Sequence, residues 1–177
     1  MNTSSASTDD TLFAVKRLTV AVPSVREFQR NYEKAVPTVP LDEVVALVRR
    51  RASWSEMEQL IANSAPHGFL IYFKNDVRPV MQLAGDTADC IAYLMGNHII
   101  AEQMFRHDPR AMLYAPLHTV IWEDSTDAAW FSVDQPSTQF ASFGIPEISK
   151  VGVELDRKLA ALLDALHVDV PSVLLES

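Results

Sequence analysis

Residues 91–105 read IAYLMGNHIIAEQMF. The first five are apolar and strand-like, Gly96-Asn97 interrupts them, and a second apolar run starts at His98 with its large residues three and four positions apart, the spacing of a helix. A strand that becomes a helix within two residues implies a sheet with helices laid against it. Asn97 suits the junction, because its side chain can accept a hydrogen bond from the unpaired N–H groups of a first helical turn. The pattern predicts a strand over 90–95 and a helix from 98 to about 107.

Downstream, Leu117 to Glu123 and Ala129 to Val133 are joined by Asp124-Ser125-Thr126-Asp127, a hairpin. Pro136 to Phe143 reads as a short helical turn closed by Gly144. A long helix over Pro146 to Leu166 follows, with Ile148, Val151, Leu155, Leu159, Leu162 and Leu166 on one stripe. Upstream, Leu12 to Val22 reads as a first strand ended by Pro23, and Phe69 to Phe73 as a short buried strand between breakers. Pro79 to Leu83 reads as a further strand. Three helices precede 70: one opened by Ser24 with Glu27 at capping distance, one over Leu41 to Arg51 placing Leu41, Val44, Val45 and Val48 together, and one over Trp54 to Asn63, with Ser53 and Glu56 at the same capping distance, burying Trp54, Met57, Leu60 and Ile61.

Strands and helices without βαβ alternation predict an α+β fold, a mainly antiparallel sheet packed against helices in a two-layer single domain. That domain spans 12–168, between a disordered lead-in at 1–11 and a loosely held tail at 169–177. With 177 residues, 48% of them hydrophobic, one sizeable core is the expectation. A net charge of −8 repels a phosphate backbone, so nucleic acid is not an expected partner. The first ten residues lack the basic and apolar segments of a secretory signal. No apolar run approaches the ~18 residues of a membrane span, so no membrane partner is expected either. A single cysteine, Cys90, forms no internal disulfide, and a cytoplasmic location follows as the default. Exposed sheet edges, three tryptophans and the apolar surplus predict a homodimer.

Three segments carry a family likeness: Tyr93-Leu94-Met95-Gly96-Asn97, Ala115-Pro116-Leu117-His118-Thr119-Val120-Ile121-Trp122-Glu123-Asp124, and Trp130-Phe131-Ser132-Val133 followed by Asp134-Gln135-Pro136. In these the chain resembles a divergent member of the domain of unknown function 302 family, an α+β family. The likeness covers about residues 40–166, with the region before it reading as an extension. The family's pattern at the quoted junction is glycine, asparagine, proline. Proline suits a first helical position because its missing N–H would be unpaired there. Here His98 stands in that place, exchanging a preset backbone angle for a ring with two nitrogens. His118 likewise stands where the family implies arginine or lysine.

The positive end of a helix dipole disfavours imidazolium, so His98 is expected to be neutral, a candidate base or metal ligand. Met95, Met104 and Phe105, with Met112 and Tyr114 following, form a candidate apolar wall around it, a pocket that would suit a small hydrophobic molecule or haem with His98 as axial ligand. Beside this ligand-binding reading stands a cofactor-independent enzyme of isomerase, lyase or hydratase type. In it His98 is the general base and His118 or Tyr114 assists. A third reading is a non-catalytic protein whose business is its dimer surface. Glu123-Asp124 reads as a solvated turn, the methionines as core filling, and Trp130 as a buried structural ring. No Gly-x-Ser-x-Gly motif and no phosphate-cradling loop occur among the five glycines.

Overall fold

The hairpin strands lie inside a five-stranded antiparallel sheet. In the computed structural model, which describes residues 12–176, the sheet has the order β1-β5-β4-β3-β2. Its strands are β1 (Arg17–Val22), β2 (Leu70–Asp76), β3 (Cys90–Gly96), β4 (Leu117–Glu123) and β5 (Ala129–Asp134). The helices are α1 (Val25–Ala35), α2 (Leu41–Arg49), α3 (Trp54–Ser64), α4 (Arg78–Met81), α5 (His98–Phe105), α6 (Pro136–Phe140) and α7 (Pro146–Ala165). The lead-in expected over 1–11 lies outside the described residues.

Register sorts the side chains. Tyr93 pairs with Thr119, Ile121 with Phe131, and Phe131 with Val20, so these residues share one face and are all buried. Helices α1 and α7 supply the other half of that core through Phe28, Tyr32, Leu155 and Leu159. Tyr32 is fully buried, and its hydroxyl shares a 3.0 Å hydrogen bond with Thr119 Oγ1, which satisfies both groups without water. The opposite face carries Cys90, Ala92, Leu94, His118, Val120 and Trp122, none of which belongs to a core cluster. A smaller cluster of Val44, Ile61 and Leu70 seats α2 and α3 on the start of β2.

The caps follow the sequence. Ser24 Oγ accepts from Glu27 N at 3.3 Å, and Ser53 with Glu56 forms a reciprocal capping box. Asp156, fully buried on α7, accepts from Ser137 N at 3.0 Å, Ser137 Oγ at 2.6 Å and Gln135 Nε2 at 2.7 Å, tying α6 to α7.

Three expectations are corrected. Pro79 to Leu83 is not a strand: Arg78–Met81 is helical and Gln82–Ala84 forms a 3-10 turn closed by Gly85 at φ 94. Proline in a first helical turn loses no hydrogen bond, and a short apolar run fits either element until a partner strand decides. Leu41, Val48 and Trp54 are exposed, because α2 and α3 cover only the edge of the sheet. The region before 40 belongs to the same domain, as expected, since β1 pairs with β5 and α1 fills the core. The tail is held: Ser172–Leu174 makes a 3-10 turn and Leu174 is fully buried in the main core.

Candidate functional site

The junction from β3 to α5 forms one wall of a cavity of about 220 Å³. Gly96 ends β3 where a Cβ would sit 3.1 Å from the Cβ of Pro116 and 3.3 Å from its Cα, so any larger residue would have to push the two segments apart by a few tenths of an ångström. Asn97 then caps α5, its Oδ1 accepting from Ile99 N at 2.8 Å and Ile100 N at 3.3 Å while its Nδ2 donates to Gly68 O at 2.9 Å. These bonds fix the direction in which His98, the first helical residue, leaves the backbone.

Across from His98 lies Tyr72. The pairing of β2 with β3 shifts between Ile71 and Phe73, which leaves Tyr72 as the extra residue of a bulge. Its hydroxyl and His98 Nδ1 share a 2.8 Å hydrogen bond, and the rings meet edge-on at 4.9 Å and 67°. Burial lowers the pKa of His98 below its usual value, so the imidazole is neutral at pH 7. Burial pushes the Tyr72 phenol up to about 12, with the main-chain N–H of His98 pulling the other way. The pair is therefore neutral on both sides. Among the described residues Nε2 of His98 has no hydrogen-bond partner in the protein.

The remaining wall is carbon: Phe69, Met95, Met104, Met112, Phe140 and Leu155 contribute to it. Of the residues singled out in the sequence, Met95, His98 and Met104 meet here, and Met112 joins them. Phe105 does not. It is 49% exposed on another side of α5, because one helical position rotates a side chain by roughly 100°. Tyr114 stands outside the lining, edge-on to Phe140 and Phe143.

His118 is exposed on the open face of the sheet, in a shallow groove with Arg17, Trp122 and Ser132. Leu117 beside it points into the core and lines the His98 cavity, so alternation along β4 sends the two histidines to different sites. The expected pairing of His98 with His118 or Tyr114 is thus replaced by a pairing with Tyr72. Nothing in the run Phe69 to Phe73 marks Tyr72 as different from its neighbours, because a bulge within an apolar strand has no sequence signature there. Trp130 is also displaced from its expected place. It lies on the open face, stacked on Trp122 at 6.4 Å, with Nε1 donating to Asp124 Oδ2 at 2.8 Å. Asp124 additionally accepts from Thr126 N and Ala128 N, which makes it the organiser of the hairpin turn.

Among the described residues no three His, Cys, Asp or Glu side chains gather as a metal-ion site requires. A lone His98 nitrogen is the donor set of a haem rather than of a protein-bound ion. The cavity tests that fit: about 220 Å³ lies below the roughly 300 Å³ at which pockets begin to enclose drug-sized ligands, and a porphyrin is at least that large. Haem does not fit the cavity in this conformation. No helix among the described residues is long and apolar enough to cross a membrane.

An α+β protein with a single antiparallel sheet and a small apolar cavity at its strand-to-helix junction is the class these features define. Residues 32–166, well over half of the chain, match the family described as Domain of unknown function DUF302, and the chain belongs to that family. The match begins inside α1, earlier than the expected boundary near 40. The fold is shared with the crystal structure of an uncharacterized conserved protein DUF302 from Bacillus stearothermophilus, at a TM-score of 0.59 and 13% identity over 86% of this chain and 98% of that one. At that identity the likeness carries the fold alone. No curated protein matches the chain.

Proposed function

We propose that the chain is a small-molecule-binding protein that takes a compact, largely apolar molecule bearing one hydrogen-bonding atom into the cavity beside His98. The observation that carries this reading is the composition of the cavity: a carbon wall interrupted at one place by a neutral imidazole already held by a phenol. Pockets that select small molecules are built in this way, with apolar area for affinity and one or two fixed polar atoms for orientation. The Tyr72 bond occupies Nδ1 and orients the ring, leaving Nε2 as donor or acceptor according to the tautomer.

The same pair supports a second reading, an enzyme of isomerase, lyase or hydratase type in which neutral His98 takes a proton from a bound substrate and Tyr72 holds the ring in place.

Methionine methyl resonances give a direct test, because Met95, Met104 and Met112 line the cavity whereas Met57 and Met81 do not. Titration with p-cresol, compact and carrying one hydroxyl, is expected to shift the three lining methyls and leave the other two in place. Toluene is expected to bind more weakly. His98→Ala is expected to remove the preference for p-cresol. Unchanged methyl spectra with both probes at millimolar concentration would exclude the cavity as a binding site for this class of molecule.

A further inference from the structure

The open face of the sheet is independent of the His98 cavity and has its own chemistry. Its centre is apolar: Val120 lies between Ala92 and Ser132 in register, with Leu94 and the Trp122–Trp130 stack around it and Phe73, 56% exposed, toward the β2 edge. Several of its polar groups pair with one another. Ser132 Oγ accepts from Trp122 Nε1 at 2.9 Å and shares a 2.9 Å bond with Thr19 Oγ1. Arg17 Nε donates to Asp134 Oδ1 at 2.7 Å at one end of the face. These two are the only formal charges among the outward residues of the five strands, and they cancel.

We infer that this face docks a second copy of the chain, sheet against sheet, about a two-fold axis. Charge selects the partner. The chain carries −8, so two copies repel unless they meet where each is neutral. The acidic groups near this face, Asp89, Glu123 and Asp124, sit at its rim by the 124–127 turn rather than at its apolar centre. Size agrees with a reversible dimer. Five strands about 4.8 Å apart and about six residues of 3.4 Å each give a footprint on the order of 500 Å². Two such faces bury about 1,000 Å² in total, at the lower bound of a specific interface. Sheets stack face to face about 10 Å apart in this manner within single domains. Position sets the symmetry. β4 is the middle strand and Val120 is the middle of its three outward residues, so an axis through the centre of the face sets Val120 opposite its own copy.

Sedimentation velocity of the full chain across a dilution series, with tryptophan emission recorded on the same samples, tests the inference. The mass is expected to rise with concentration from 19.7 kDa toward twice that value, and emission to move to shorter wavelength as Trp122 and Trp130 lose water. Val120→Arg, which sets two like charges across the axis, and Leu94→Lys, nearer the β2 edge of the face, are each expected to stay monomeric at concentrations where the wild type is dimeric. Leu41→Arg, on exposed α2, is expected to dimerise as the wild type does. A wild type that remains monomeric at several hundred micromolar overturns the inference. So does a dimer formed without any change in tryptophan emission, because that dimer uses a sheet edge or a helix. Thermal melting of the two face variants separates lost association from lost folding, and the wild-type series decides even where a variant does not fold.

Discussion

The two faces of the sheet are made by the same strands and differ residue by residue. On the covered face Ile91, Tyr93, Ile121 and Phe131 are each 1% exposed or less, and the polar groups that enter it are paired inside the protein. On the open face the alternate residues of the same strands are mixed in size and polarity and partly wet. A shift of one position therefore separates a residue that holds the fold from one that is available to something else. Leu117 and His118 show this most sharply: the first is 3% exposed beside the His98 cavity, the second is exposed on the far side of the sheet.

The widest gap between the faces is expected at two neighbours on β5. Phe131 is 1% exposed and lies 5.5 Å from Phe28 and 5.7 Å from Tyr32, so Phe131→Ala should cost about 3–5 kcal/mol, as large-to-small changes in cores do. Trp130→Ala removes a larger ring but only a stacked, partly buried one with a single hydrogen bond, and should cost about 1–2 kcal/mol. Urea denaturation of the two variants measures the difference at protein concentrations low enough to keep the chain monomeric. Equal costs would mean that the open face is covered in solution even there.

Much of this was legible beforehand, and the reasons differ by element. The 117–133 hairpin, the capped helices and the glycine-asparagine junction are local: each depends on residues a few positions apart, and each stands where its pattern put it. Tyr72 as the partner of His98 depends on a register shift between β2 and β3, and alternation alone does not reveal register. The placement of Trp130 and His118 failed for a related reason. Alternation correctly put His118, Val120 and Trp122 on one face, but which face the helices cover is decided by how α1 and α7 pack. Exposed Leu41 and Val48 show the converse, an apolar helical stripe left without a sheet to cover it.

The His98 position offers a smaller and more specific test. Proline fits a first helical position and restricts the unfolded chain, which contributes about 0.4–1 kcal/mol of stability. His98→Pro also deprives the Tyr72 hydroxyl of the imidazole and of the main-chain N–H, and an unpaired buried hydroxyl costs about 1–3 kcal/mol. The expected outcome is a variant less stable than wild type by about 1 kcal/mol, with Tyr72→Phe in the same background recovering most of the loss. Thermal melting of the two variants checks it. A His98→Pro protein as stable as wild type would mean that water replaces both partners of Tyr72.

The smallest effect concerns pH, and its sign follows from burial. The pKa of His98 is lowered in the folded protein by burial, from an ordinary value of 6.5. As pH falls through that ordinary value, the unfolded chain takes up a proton that the folded protein still refuses, so the unfolded state gains. Stability associated with His98 is complete above about pH 6.5, declines as pH drops toward the folded value, and becomes level below it. Melting wild type and His98→Gln at pH 7.5 and pH 5.5 isolates this contribution. Wild type should lose more stability across that interval than His98→Gln, whose amide keeps a polar atom near Tyr72 without titrating. Equal losses in the two proteins would show that the imidazole beside Tyr72 is as free to take a proton when folded as when unfolded.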